Sequence, residues 1–186
     1  MLKTSENLEN LNFKPLDQTQ HIKVIIDTDP GIDDLECITM LLKHTNVLAL
    51  TTTYGNCSVA TATNNACRIL SFLERTEVPV YEGAAQPLNS CSVWDNGSGW
   101  HGRDGMGDTD LIPRDVAKKA ESESAPNALL RLVNAHPGEI TLVAIGPLTN
   151  LAITANLDPS IAAKLKALYI MGGSYLAFPT STCRQK

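Results

Sequence analysis

Strand-length apolar runs alternate with stretches of helical period along most of this chain, and that alternation leaves few folds open to it. Residues 22–28, 47–53, 78–81, 140–145 and 165–171 are short and apolar, with β-branched residues in most of them. Between them, residues 32–44 place Leu35, Ile38, Leu41 and Leu42 on one helical face, and residues 58–75 do the same with Ala66, Ile69, Leu70 and Leu73. Ser124 and Pro126 mark the start of a helix over 126–136, with Gly138 past its end, and residues 148–156 form another. Strands that are continuously apolar are covered on both faces. The expected fold is therefore α/β, a mostly parallel sheet with helices on both faces. Ligands bind such sheets beyond the carboxyl ends of the strands. The acidic run 27–34, Gly55-Asn56, Gly146-Pro147 and Gly172-Gly173 all fall at those ends and are expected to share one rim.

The first of these is the most informative. Asp27-Thr28-Asp29-Pro30-Gly31-Ile32-Asp33-Asp34 follows the strand Val24-Ile25-Ile26 and sets four carboxylates within eight residues. Crowded carboxylates hold on to protons unless a cation neutralises them. On a strand, Asp27 and Asp29 point to the same face. Pro30 and Gly31 allow a sharp turn, after which Asp33 and Asp34 fall in the first turn of a helix, where free N–H groups favour negative charge. Either of the last two alone reads as an ordinary helix cap. Asp27 and Asp29 are harder to dismiss, because strands are depleted in Asp. The result is an oxygen-rich cup suited to a hard cation such as calcium or magnesium.

At 186 residues one domain is the default. A net charge of −5 argues against general nucleic-acid binding. Residues 1–20 are polar, without the apolar segment of a secretory signal, and read as a disordered lead-in. No stretch reaches the roughly 20 apolar residues that span a bilayer, so no membrane partner is expected and the cytoplasm is the default address. The odd set Cys37, Cys57, Cys67, Cys91 and Cys183 reads as free thiols in a reducing compartment. Residues 83–120 break the rhythm and read as a long functional loop or a disordered stretch.

These residues resemble the inosine–uridine-preferring nucleoside hydrolase family, whose signature is an Asp-x-Asp-Pro-Gly-x-Asp-Asp run after the first strand. Supporting segments follow in the family's order: Thr52-Thr53-Tyr54-Gly55-Asn56, His101-Gly102 ahead of Asp104-Gly105-Met106-Gly107, residues 142–150 ending Gly146-Pro147-Leu148-Thr149-Asn150, and Met171-Gly172-Gly173. The resemblance spans residues 23–175 and implies a Rossmann-like sheet and calcium-dependent cleavage of the N-glycosidic bond of ribonucleosides. It implies that Asp29 binds Ca2+ and acts as general base, with Asp34 and the backbone carbonyl of Ile145 as further metal ligands and Asp27 supporting the metal shell from behind. Asp33 and Asn56 are then expected to hold ribose hydroxyls, and Met171 to pack in the ribose pocket. Taken alone, Asn56 is an ordinary turn residue. His101 reads either as a catalytic lid residue near the departing base or as a solvated loop histidine, and Trp94 or Trp100 as stacking partners or as pins for the loop.

The family continues past Tyr175 with segments that grip the ribose and a His-Asp pair that does not follow here. The reading is therefore of an incomplete member, with residues 176–186 a divergent tail and an open fifth strand inviting homo-oligomer formation. Two other functions stay open. One is a non-catalytic calcium- and ribose-binding chain that associates with a full-length relative. The other is an Asp-x-Asp phosphoryl-transfer enzyme using magnesium, with Asp27 as nucleophile and Lys164 or Lys166 in support.

Overall fold

The computed structural model describes residues 22–89, 98–109 and 111–173. The lead-in 1–20, the tail 176–186, His21, Cys91, Trp94, Tyr175 and Cys183 lie outside the described residues. Five strands form one sheet: β1 (Lys23–Thr28), β2 (Asn46–Thr52), β3 (Val80–Glu82), β4 (Ile140–Ala144) and β5 (Ala167–Ile170). Their order is β3-β2-β1-β4-β5 and every pairing is parallel. The helices are α1 (Ile32–His44), α2 (Val59–Phe72), α3 (Ser98–His101), α4 (Ala125–Ala135) and α5 (Thr149–Leu157), and a 3-10 turn spans Ile161–Lys164. The expected sheet and its main helices are present; α3 and the 3-10 turn are additions, each too short to leave a periodic signal.

From β1 the chain steps outward through β2 and β3 on one side, then crosses to β4 and β5 on the other. The reversal makes the gap between the carboxyl ends of β1 and β4 the switch point at which ligands bind in such sheets.

Alternation along β1 divides the core. Val24 and Ile26 pack with Ile38 and Leu42 of α1, Ile69 and Leu70 of α2, and Leu50 of β2. Ile25 turns the other way, to Ala128, Leu129 and Val133 of α4. Each fully buried aliphatic side chain contributes about 1.5–3 kcal/mol. By the same parity Asp27 sits on the α4–α5 face and Thr28 on the α1–α2 face. β5 differs from the others: as an edge strand it leaves Leu168, Tyr169 and Ile170 exposed. Beside it Leu129, Val133, Leu142, Leu151, Ile161 and Leu168 line an apolar hollow of about 110 Å³, and no carboxylate of the run 27–34 is among its lining residues. Among the described residues no helix is long and apolar enough to cross a membrane.

Candidate functional site

β1 ends at Thr28, so Asp29 stands just beyond the sheet, and Gly31 is the N-cap of α1. Asp33 and Asp34 occupy the first turn of α1, as expected. Asp34 is buried and turned inward: its Oδ2 accepts from the Gly31 amide at 3.0 Å and its Oδ1 from the Thr28 hydroxyl at 2.5 Å. Asp33 faces solvent, with 63% of its side chain exposed.

Asn56 joins the two buried carboxylates. Its amide N–H donates to Asp29 Oδ2 at 2.8 Å, and its side-chain Nδ2 donates to Asp34 Oδ2 at 3.2 Å and to the Asp29 carbonyl at 3.1 Å. Far from an ordinary turn residue, it is the strut of the pair. Two glycines let the main chain close on Asp29. A Cβ at Gly55 would overlap Asp29 Oδ2, and one at Gly146 would stand 2.8 Å from Asp29 Oδ1. Any side chain at either place would fill the space around that carboxylate.

Burial and the neighbouring Asp34 charge push the Asp29 carboxyl up to about 8, and burial raises Asp34 as well. Two adjacent carboxylates in a dry site share protons rather than ionise together. The pair thus has the chemistry of a cation site: a positive charge there would replace the proton. Among the described residues no three His, Cys, Asp or Glu side chains are grouped so as to hold a metal ion together.

Asp27 lies behind them, fully buried. Its Oδ1 accepts from Thr51 at 2.5 Å and from Asn150 Nδ2 at 2.8 Å, while Oδ2 has no partner. Burial pushes its carboxyl up to about 6. Sunk between strand and helix, it has no open path to a phosphoryl group, which removes the support for an Asp27 nucleophile. The Ile145 amide donates to the Asp27 carbonyl at 2.8 Å and carries the main chain of β4 to the same edge.

His101, at the end of α3, reaches the start of α1. Its Nδ1 accepts from the Ile32 amide at 3.2 Å and lies 3.8 Å from Asp33 Oδ1, with 19% of the side chain exposed. Accepting at Nδ1 requires that nitrogen to be bare, so a neutral ring carries its proton on Nε2. It is not a solvated loop histidine. Trp100 beside it is 79% exposed and packs on little. Met171 follows β5, two strand spacings or about 10 Å from β1, and is 59% exposed. It shares the rim's edge of the sheet but not its cluster.

Sequence reasoning gives Thr28, Thr51 and Asn150 no role, although Thr28 lies in the run 27–34 and Asn150 closes the segment 142–150. Each is a buried polar residue at a strand or helix end near the rim, and that placement within apolar segments was the available signal.

The chain is 40% identical over 160 residues to uridine nucleosidase 1 of Arabidopsis thaliana, covering 85% of this chain and 47% of that protein. It is 38% identical over 158 residues to the inosine-uridine preferring nucleoside hydrolase of Crithidia fasciculata, covering 82% and 49%. Among solved structures, a plant nucleoside hydrolase superposes with a TM-score of 0.75 at 44% identity, over 82% of this chain and 48% of that one. The chain thus spans about half the length of the relatives it matches. With its sequence matching the family's profile over residues 24–182, the chain belongs to the inosine-uridine preferring nucleoside hydrolase family.

Proposed function

We propose that this site serves calcium-dependent hydrolysis of the N-glycosidic bond of ribonucleosides, releasing free base and ribose. The observation that carries the reading is the buried Asp29–Asp34 pair, spanned by Asn56 at the switch point of the sheet. Asp29, Asp34 and the Ile145 carbonyl would hold the ion, with water completing the six to eight oxygens calcium takes. When bound, calcium neutralises the pair and makes water beside it more acidic.

Each residue then has a part. Asp29 keeps Oδ2 on the Asn56 amide, which leaves Oδ1 to take the proton of the attacking water. Asp33, exposed at the mouth, and Asn56 hold ribose hydroxyls and keep the ring in register. The carboxylates favour the positive charge that develops on the sugar as the base departs. His101 keeps Nδ1 on Ile32 and offers Nε2–H to the leaving base; Met171, just past β5 on the same edge of the sheet, is the outermost candidate for the ribose pocket. Asp27 anchors the carboxyl end of β1 from behind through Thr51 and Asn150.

The test is release of free base from uridine or inosine by the purified 186-residue chain, with calcium and with a chelator. Chelation should abolish release, and Asp29→Asn should lower it by about 10²–10⁴-fold. A second reading is a non-catalytic chain that binds calcium and ribose and associates with a full-length relative. Calcium binding without release of base would establish it, and would overturn the first.

A further inference from the structure

We propose that Asn65 and Arg68, buried in the middle of α2, are positioning residues that clamp the turn 101–109 to the Pro30-Gly31 bend and so fix His101 against the first turn of α1. Both are polar side chains set among core positions: Asn65 is fully buried and Arg68 only 2% exposed, flanked by Ala62, Ala66, Ile69 and Leu70. A buried guanidinium is costly unless every donor is met, and an aliphatic side chain would pack there at no such cost.

Their bonds lead away from the core. Arg68 donates from Nε to the Pro113 carbonyl at 2.9 Å and from Nη2 to the Ile112 carbonyl at 3.1 Å. Its Nη1 donates to Asn65 Oδ1 at 2.9 Å and lies 3.5 Å from Asp104 Oδ2. Asn65 in turn spends its amide on two segments at once, donating to the Asp104 carbonyl at 2.8 Å and to the Pro30 carbonyl at 3.5 Å. One side chain therefore sets the separation between the turn that carries His101 and the bend that carries Asp29.

The turn transmits that restraint. Asp104 Oδ1 accepts from the amides of Met106 and Asp108, both at 2.9 Å, and the Gly107 amide donates to the His101 carbonyl at 2.6 Å. Burial opposes ionisation of Asp104, but these amides with Arg68 and Arg114 hold its carboxyl below the ordinary value. Gly105, at φ +75°, passes so close that a Cβ would stand 3.1 Å from Asn65 Nδ2 and 3.4 Å from the Pro30 carbonyl. Three segments thus meet on Asn65.

That His101 assists the departing base rests on the function proposed above; that Asn65 and Arg68 fix its position does not. The experiment uses the ¹⁵N-labelled 186-residue chain. In the wild type the Ile32, Met106 and Gly107 amides should exchange with a common protection, and neutral His101 should show the Nε2–H form. In Asn65→Ala, Ile32 exchange should rise about tenfold or more and His101 should become a tautomer mixture; in Arg68→Lys the rise should be about threefold. Should Asn65→Ala not fold, the milder Arg68→Lys carries the test. Variants that fold, lose thermal stability and yet keep Ile32 protection and the His101 tautomer would overturn the clamp and leave only a structural role. Turnover separates the two ideas. A fall in kcat with KM steady supports both, whereas a displaced His101 with unchanged base release refutes the role given to His101 and leaves the clamp standing.

Discussion

Raising the pH from 5 to 8 without divalent cations should weaken the fold, and most of that loss should vanish in Asp29→Asn. A carboxyl that binds its proton more tightly in the folded chain stabilises the fold while protonated. Its contribution is complete below the ordinary value of 3.8 and is lost as pH rises through the folded value, about 8 for Asp29 and about 6 for Asp27. At about 1.36 kcal/mol per pH unit, Asp29 loses about 4 kcal/mol between pH 5 and 8, and Asp27 about 1 kcal/mol. Asp34, raised in the same direction, shares protons with Asp29 and steepens the loss. Asp104, Glu139 and Asp158, held below their ordinary values, deliver their stabilisation above about pH 5 and are flat across this window.

A loss of about 5 kcal/mol is comparable to the whole stability of many domains, about 5–15 kcal/mol. Urea unfolding followed by circular dichroism at pH 5 and 8 in chelator reads it directly. Asp29→Asn keeps the shape and an acceptor for the Asn56 amide but removes the charge, so its loss should shrink to about 1–2 kcal/mol. Calcium at a hundred times its dissociation constant should return about 3 kcal/mol to the wild type at pH 8 and little to the variant. Wild-type stability that is flat or rising over this range would refute the account of the carboxylate pair, as would an equal slope in Asp29→Asn.

Other expectations follow from the same contacts. Gly55→Ala should cost about 2–3 kcal/mol and abolish calcium-induced stabilisation, because the new Cβ occupies the space of Asp29 Oδ2; thermal unfolding with and without calcium reads both. Asn150→Leu should cost about 2–4 kcal/mol in urea unfolding, since it strips a donor from Asp27 and from the Thr52 carbonyl and an acceptor from the Ala84 amide. Leu129→Ala should cost about 2–5 kcal/mol through the cavity it opens under α4. Tyr169→Lys on exposed β5 should leave unfolding within about 0.5 kcal/mol of wild type, and should reduce any self-association seen by sedimentation.

What was legible in the sequence was what repeats locally. Val24, Ile25 and Ile26 declare a strand covered on both faces, and Ile38 and Leu42 sit one helical turn apart on the buried side of α1. The run 27–34 declared the rim because four Asp residues at one strand end have few other uses. β5 reads as apolar as β1, yet its face is open, because a run of apolar residues states a preference and not what will cover it. Asn150 lies 123 residues from the Asp27 it supports, and no period or spacing carries such a contact. Asn65 and Arg68 were within reach: two polar residues three apart on the core side of a helix break the pattern that marks everything around them.

The rim and the clamp also divide the site by rigidity. Asp27 and Asp34 are buried and the half-buried Asn56 is bonded to Asp34, so their geometry is set by elements whose opening requires much of the core to open. His101 hangs from a turn secured to α2 by the Asn65 bond to the Asp104 carbonyl and by Met106, which is buried in the core cluster with Ala66, Ile69 and Leu70, and its own hydrogen bond to α1 is the one from the Ile32 amide. A bond of that kind is worth about 1 kcal/mol net, so the Ile32–His101 contact opens far more often than the sheet. A cation held by the rim and a base met by His101 are therefore governed by different motions. Substitutions in α2 should change how fast the base departs while leaving calcium affinity almost untouched, whereas substitution at Thr28 should lower calcium affinity, with base release recovering at saturating calcium.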